Sequence, residues 1–134
     1  MNVEVTGEAV PRFSRREIAQ FARKVLLTLG HDAEELSIAL VTDREMTSLN
    51  RKFRGKNKTT DVLTFPGDAP FLGDIVISIE QARRQAADEK HSLATEVRYL
   101  ILHGILHALG YDHETDRGEM NALELDVRKR VGLD

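Results

Sequence analysis

The chain of 134 residues contains no cysteine and no tryptophan, and few aromatic side chains of any kind. The absence of cysteine excludes disulfide bonds and thiolate ligands for a metal, and it fits a reducing compartment. No apolar run reaches the roughly 18 residues that a membrane span needs. The first residues also lack the basic-then-apolar pattern of a secretory signal. From these absences we expect a cytoplasmic protein with no membrane partner.

The composition that remains is that of a globular protein. Hydrophobic residues make up 41% of the chain and charged residues 31%, which is typical of a folded domain. The length predicts a single domain over residues 1–134. A formal net charge of −3 gives no sign of nucleic-acid binding, so any such role has to come from a local patch of charge.

Hydrophobic periodicity predicts an α+β fold. Alternating or apolar runs indicate strands at residues 2–6, 36–41, 62–65 and 74–79. Helical patterns cover residues 15–29, 43–53, 80–90, 93–109 and 119–130, and the first two follow capping boxes at Ser14 and Thr42. The helix at 93–109 is apolar nearly all round, which places it in the centre of the domain. Helices packed on a small mixed sheet are therefore expected.

Three of the five histidines in the chain lie in the segment HGILHALGYDH, residues 103–113. His103 and His107 are four residues apart, so a helix places both imidazoles on one face. Gly110 is a natural helix end, after which the chain can return His113 to the same point. Three neutral imidazoles leave the fourth position of a tetrahedral zinc open, as in catalytic sites. We therefore predict one zinc ion, or another divalent metal, on a buried helix and the turn after it.

The residue after the first histidine separates this pattern from that of the zinc peptidases. Those enzymes carry a glutamate there, which acts as the general base. Here the position is Gly104, so a peptidase is disfavoured. A base has to come from elsewhere in the fold, or the reaction depends more on stabilising charge than on a base.

A second pattern is the basic segment, residues 51–58. It carries five cations and no carboxylate: Arg51, Lys52, Arg54, Lys56 and Lys58. A solvated loop is the ordinary interpretation of such a run. Next to a metal site, however, these cations suit a phosphodiester substrate, because they hold phosphates and stabilise charge in the transition state.

Together these segments resemble the YbeY family of metal-dependent endoribonucleases. The resemblance rests on RGK at residues 54–56, TDVLTFP at 60–66, LGDIVIS at 72–78 and the histidine segment. Glycine after the first histidine is the form found in that family. Ala108 departs from its more common leucine, and we expect only a change in packing there.

The resemblance implies a four-stranded mixed sheet with zinc held by His103, His107 and His113. It also implies cleavage of single-stranded ribosomal RNA in maturation of the small-subunit RNA 3′ end and in ribosome quality control, with the ribosome or small-subunit factors as partners. Arg54 and His113 are the implied catalytic residues. Arg54, Lys56 and Lys58 are the expected phosphate contacts, because an arginine fork matches two phosphate oxygens.

Several choices stay open at the level of sequence. The attacking group is either an activated water or the 2′-hydroxyl of the RNA. Asp112 either orients an imidazole or caps the turn after Gly110, and the second role is favoured. Glu96 and Glu114 are both candidate bases. A metal-stabilised RNA-binding or ribosome-binding factor with little catalysis is the main alternative to an enzyme.

Overall fold

A computed structural model describes residues 2–31, 33–112 and 114–133. Within these ranges the chain forms four strands and five helices. In chain order they are β1 (Val3–Gly7), α1 (Arg15–Thr28), β2 (Glu35–Val41), α2 (Asp43–Arg54), β3 (Val62–Pro66), β4 (Phe71–Ser78), α3 (Ile79–Asp88), α4 (Leu93–Ala108) and α5 (Glu119–Arg130). This confirms the predicted α+β class.

The four strands form one mixed sheet in the order β1-β2-β4-β3. β2 pairs in parallel with both β1 and β4, whereas β3 pairs antiparallel with β4. The register shifts between Glu35 and Leu36, which pair with Phe71 and Gly73. Leu72 is passed over at this bulge. Because Phe71 still pairs with Glu35 before the bulge, β4 begins at residue 71 and not at the predicted position 74. β3 forms one edge of the sheet, with β4 as its strand neighbour.

The two faces of the sheet carry separate hydrophobic clusters. On one face, Ile38 of β2 and Ile75 and Ile77 of β4 pack in the main core with side chains of α1, α4 and α5. On the other face, Val76 of β4 and Met46 of α2 belong to a smaller cluster. Alternation along the strands produces this division, because successive side chains point to opposite faces. The sheet thus separates α2 from the central helix α4.

Both predicted capping boxes are present and fix the starts of their helices. The side chain of Ser14 accepts a hydrogen bond from the Glu17 amide, and that of Thr42 accepts one from the Glu45 amide. Ser78 acts similarly for α3, where it accepts from the Gln81 amide. β4 therefore passes directly into α3 at Ile79, one residue before the predicted start.

Asp43 ties the start of α2 to neighbouring elements. Its carboxylate accepts hydrogen bonds from Thr59 (3.0 Å), Ser78 (2.7 Å) and Arg84 (2.6 Å). Burial would raise the pKa of Asp43, but the hydrogen bonds from Ser78, Arg84 and Thr59 outweigh burial and hold that pKa below its usual value. The α2 helix is therefore anchored to the end of β4, to α3 and to the loop that leads into β3.

The helix α4 approaches the sheet most closely at Gly104. A Cβ atom at this position would lie 2.7 Å from Cγ2 of Ile75, which is fully buried in β4. The Gly104 carbonyl also accepts a hydrogen bond from Thr64 of β3 at 3.4 Å. The fold therefore leaves no space for a glutamate here, which gives a physical reason for the missing peptidase base.

Within the described ranges, every helix is too short or too polar to cross a lipid bilayer.

The contact between Gly104 and Ile75 predicts that Gly104→Ala lowers the free energy of unfolding by up to about 2 kcal/mol. Alanine favours helix by about 1 kcal/mol, but overpacking a rigid core costs roughly 1–3 kcal/mol or more. Urea unfolding of Gly104→Ala, Ile75→Ala and the double variant measures the effect. The penalty of alanine at residue 104 is expected to be smaller in the Ile75→Ala background, because that change removes the Cγ2 atom that the new Cβ would meet. Equal penalties in both backgrounds contradict the close approach.

Candidate active site

A cleft of about 500 Å³ opens along β3, the edge strand of the sheet. Its walls come from the end of α2, from β3, from the last turn of α4 and from the chain that follows α4. The lining residues are Arg54, Thr60, Asp61, Val62, Thr64, Pro66, His103, His107, Gly110, Tyr111, Asp112 and Glu114. Residues from three separate parts of the sequence thus meet in one concave, largely polar site.

The two α4 histidines face each other across one turn of the helix. Their Nε2 atoms are 3.1 Å apart, and their ring planes meet at 75°. Two nitrogens that share one tetrahedral zinc at 2.0–2.1 Å would be about 3.3 Å apart. The observed separation therefore suits a common metal ion, and the helix supplies a rigid platform for it because residues on both sides of His103 are buried.

The third predicted ligand, His113, lies outside the described residues. Within residues 2–31, 33–112 and 114–133, no group of three or more possible metal ligands is found. The metal site therefore stays a prediction that has two of its three residues in place. Both His103 and His107 have further interaction partners in the fold.

Glu124 of α5 is a site residue that the sequence analysis missed. Its Oε1 atom lies 3.4 Å from Nδ1 of His103, and its side chain is only 15% exposed. A carboxylate beside this nitrogen favours the tautomer that carries its proton on Nδ1, so that Nε2 presents its lone pair toward His107. The sequence predicts that Glu124 belongs to the helix α5. No local pattern relates it to His103, which is 21 positions earlier.

Arg54 reaches the cleft from the other face of the sheet. It is the last residue of α2, and Gly55 ends the helix in a left-handed conformation at φ 68°. Arg54 thereby joins His103 and His107 among the residues that line the cleft. Lys56 and Lys58 are exposed and lie outside the lining of the cleft, so they are available only to the parts of a substrate that extend beyond it.

Three carboxylates line the cleft, and two of them have structural partners. Asp61 accepts a hydrogen bond from the Val62 amide at 2.7 Å. Asp112 accepts from the Glu114 amide at 3.0 Å, and its carbonyl accepts from the amides of Thr115 and Asp116. Asp112 thus shapes the turn, which was the favoured interpretation. Glu114 is exposed on the wall of the cleft.

Glu96, the other candidate base, lies away from this cleft. It is 7% exposed, and its Oε1 is 2.6 Å from Nε2 of His91. Its Oε2 accepts from Gln85 at 3.0 Å. These contacts give Glu96 and His91 a structural role.

Comparison with known proteins identifies relatives along nearly the whole chain. The family described as Endoribonuclease YbeY matches residues 3–132. An Endoribonuclease YbeY of Solibacter usitatus is 43% identical over 130 residues, covering 96% of this chain and 88% of that protein. One from Nautilia profundicola is 49% identical over 104 residues, covering 75% of this chain and 74% of that protein. The solution structure of a Thermotoga maritima protein superimposes with a TM-score of 0.68 at 26% identity, covering 96% of this chain and 88% of that one.

The fold and the histidine-lined cleft, taken with these matches, define a small α+β protein of the endoribonuclease class. More particularly, the chain belongs to the YbeY family. The family assignment that the sequence motifs indicated is confirmed.

Proposed function

We propose that this protein is a metal-dependent endoribonuclease that cleaves single-stranded RNA in the cleft beside β3. The observation that carries the proposal is the meeting of Arg54 with His103 and His107 in one cleft. A cationic fork opposite a pair of facing imidazoles is suited to a phosphodiester, which needs both charge stabilisation and activation of the attacking group.

The metal is proposed to be held by His103, His107 and His113, with zinc as the first candidate. The 3.1 Å separation of the first two Nε2 atoms supports a shared ion, although three imidazoles accept several divalent metals. When bound, such an ion supplies Lewis acidity and lowers the pKa of a coordinated water. Glu124 holds the His103 ring in position, and its contact at 3.4 Å supports that role.

Arg54 is proposed to bind the scissile phosphate. Its planar guanidinium donates two parallel hydrogen bonds to non-bridging oxygens and offsets the charge that develops on them. Lys56 and Lys58 contact flanking phosphates outside the cleft, which is consistent with their exposure. The residues thus divide into a group that acts on the reacting atoms and a group that holds the strand.

Two routes to cleavage agree with this cleft. Either a water attacks the phosphate, or the neighbouring 2′-hydroxyl loses its proton and attacks in line. Glu114 on the cleft wall is the best placed carboxylate to accept a proton in either route. A substrate with a single 2′-deoxy substitution before the scissile phosphate separates them, because only the first route cuts it.

The proposed substrate is single-stranded ribosomal RNA near the 3′ end of the small-subunit RNA. The support is membership of a family described as endoribonucleases together with the exposed basic segment. Ribosomes or small-subunit factors are the proposed partners, and the cytoplasm is the proposed location, which agrees with a chain that lacks cysteine.

Two other functions are less well supported. A peptidase of the glutamate-dependent type requires a side chain at Gly104, where Ile75 leaves no space. An RNA-binding or ribosome-binding factor without catalysis accounts for the basic segment. It gives no role to the presence of Arg54 and the α4 histidines in the same cleft.

The test is cleavage of a labelled single-stranded ribosomal RNA 3′-end fragment by metal-loaded protein, with its metal content measured. Cleavage is expected to stop when a chelator removes the metal and to return when zinc is restored. Circular dichroism follows the fold in each state. Binding without cleavage by fully metal-loaded protein, across several divalent metals, contradicts the nuclease and favours the binding factor.

A further inference from the structure

An exposed aromatic ring lies in the middle of the basic segment. Phe53 is 55% exposed, and every residue of the segment from Arg51 to Lys58 is exposed. Single exposed apolar side chains are common and need no explanation. Phe53 differs because its neighbours in sequence, Lys52 and Arg54, are both cations, and because Arg54 also lines the cleft.

The Phe53 ring contacts two side chains of the fold, Phe65 and Lys52. Its centroid is 5.2 Å from that of Phe65, and the planes meet at 66°. Phe65 belongs to β3 and packs against the smaller core cluster. Lys52 places its Nζ 5.2 Å from the Phe53 centroid. The ring is therefore packed against Phe65 while more than half of it stays exposed, and the flexible Lys52 side chain is the neighbour that a stacking base would displace. Because the ring is already packed, little conformational entropy is lost when a ligand stacks on it.

We propose that Phe53 is a stacking platform for one base of a single-stranded RNA whose neighbouring phosphates contact the cations of the basic segment. An aromatic ring among exposed cations is the common arrangement in proteins that bind single strands. The base has to be unpaired, because a paired base has its faces covered within the helix. The inference rests on the proposed function and extends it, since it adds a residue that positions the strand as it enters the cleft.

The platform is tested by fluorescence anisotropy with short labelled oligoribonucleotides in the presence of a chelator, which is expected to stop cleavage, and a gel verifies that they stay intact. Phe53→Leu and Phe53→Ala are expected to weaken binding about tenfold or more, as for the loss of one stacked base. Phe53→Trp is expected to bind as well as the wild type. Leu27→Ala, which changes an equally exposed apolar side chain on α1 (63% exposed), is the matched control and is expected to have no effect.

Two further measurements separate stacking from charge. A series of oligonucleotides carries one abasic nucleotide, at a different position in each. We expect one of these positions to weaken wild-type binding about tenfold, because the stacked base is missing there. The same oligonucleotide is expected to cause no further loss of affinity in Phe53→Leu. The slope of log Kd against log salt is expected to stay the same in Phe53→Leu and to fall by about 0.7 in Lys52→Gln if that lysine contacts one phosphate.

The platform is overturned if wild-type protein binds and cleaves the RNA and Phe53→Leu binds it with the same affinity as the wild type and Leu27→Ala. It is also overturned if Phe53→Leu loses as much affinity for fully duplex RNA as for single strands. A wild-type protein that neither binds nor cleaves single-stranded RNA overturns the proposed function itself, and the platform with it. Thermal unfolding of each variant shows whether a loss of affinity reflects a loss of fold.

Discussion

His107→Ala is expected to lower the rate of RNA cleavage by about a thousandfold or more, with loss of bound metal. The metal contributes several kcal/mol of transition-state stabilisation in sites of this type, and each 1.36 kcal/mol corresponds to a factor of ten. The Nε2 of His107 is 3.1 Å from that of His103, so the variant removes one of two facing nitrogens and leaves the helix in place. Single-turnover cleavage and metal content of the same preparations provide the measurement.

Two variants make this result specific. His31→Ala removes another histidine, which pairs with Glu34 on the surface, and is expected to cleave at the wild-type rate. Glu124→Gln keeps all the histidines but weakens the support of the His103 ring, and it is expected to reduce metal affinity about 10- to 100-fold. A His107→Ala protein that still cleaves at the wild-type rate shows that these imidazoles have no catalytic part.

Arg54→Ala is expected to lower kcat about 100- to 1000-fold while metal content stays unchanged. The loss of one preorganised donor to a developing oxyanion has this size in other hydrolases. Arg54 lies at the end of α2, a different helix from the one that carries the histidines, and Asp43 anchors α2 to the rest of the fold, so removal of the arginine is expected to leave the histidines undisturbed. Arg54→Lys is expected to recover only part of the rate, since a lysine offers no planar fork.

Arg51→Ala is the matched control, because Arg51 is an exposed arginine of the same helix that lies outside the lining of the cleft. It is expected to raise KM modestly and leave kcat unchanged. If Arg54→Ala also changes only KM, then Arg54 holds the strand and has no direct effect on the reacting phosphate.

Local signals in the sequence were sufficient for most of the fold. The capping boxes at Ser14 and Thr42 gave helix starts that the structure confirms, because a cap depends on residues only three positions apart. The start of β4 was wrong by three residues. Pairing of Phe71 with Glu35 across a bulge determines it, and such a long-range contact leaves no local pattern.

In the candidate site, too, the features that depend on nearby residues were predictable and those that depend on long-range packing were not. The spacing of His103 and His107 predicted that they face each other, since both belong to one helix. The arrival of Arg54 from the other side of the sheet and of Glu124 from α5 depends on how separate elements pack. The family resemblance, rather than any spacing, indicated Arg54, and nothing indicated Glu124.

The position of β3 at an edge of the sheet has a consequence for how the protein behaves at high concentration. An unpaired strand edge is a template for pairing with a second copy of the same chain, and proteins protect such edges with short strands, prolines and cations. β3 has only five residues, ends at Pro66 and follows the basic segment. These features protect the edge, so replacing the cations of the basic segment is expected to increase the tendency to aggregate as well as to change any binding that depends on their charge.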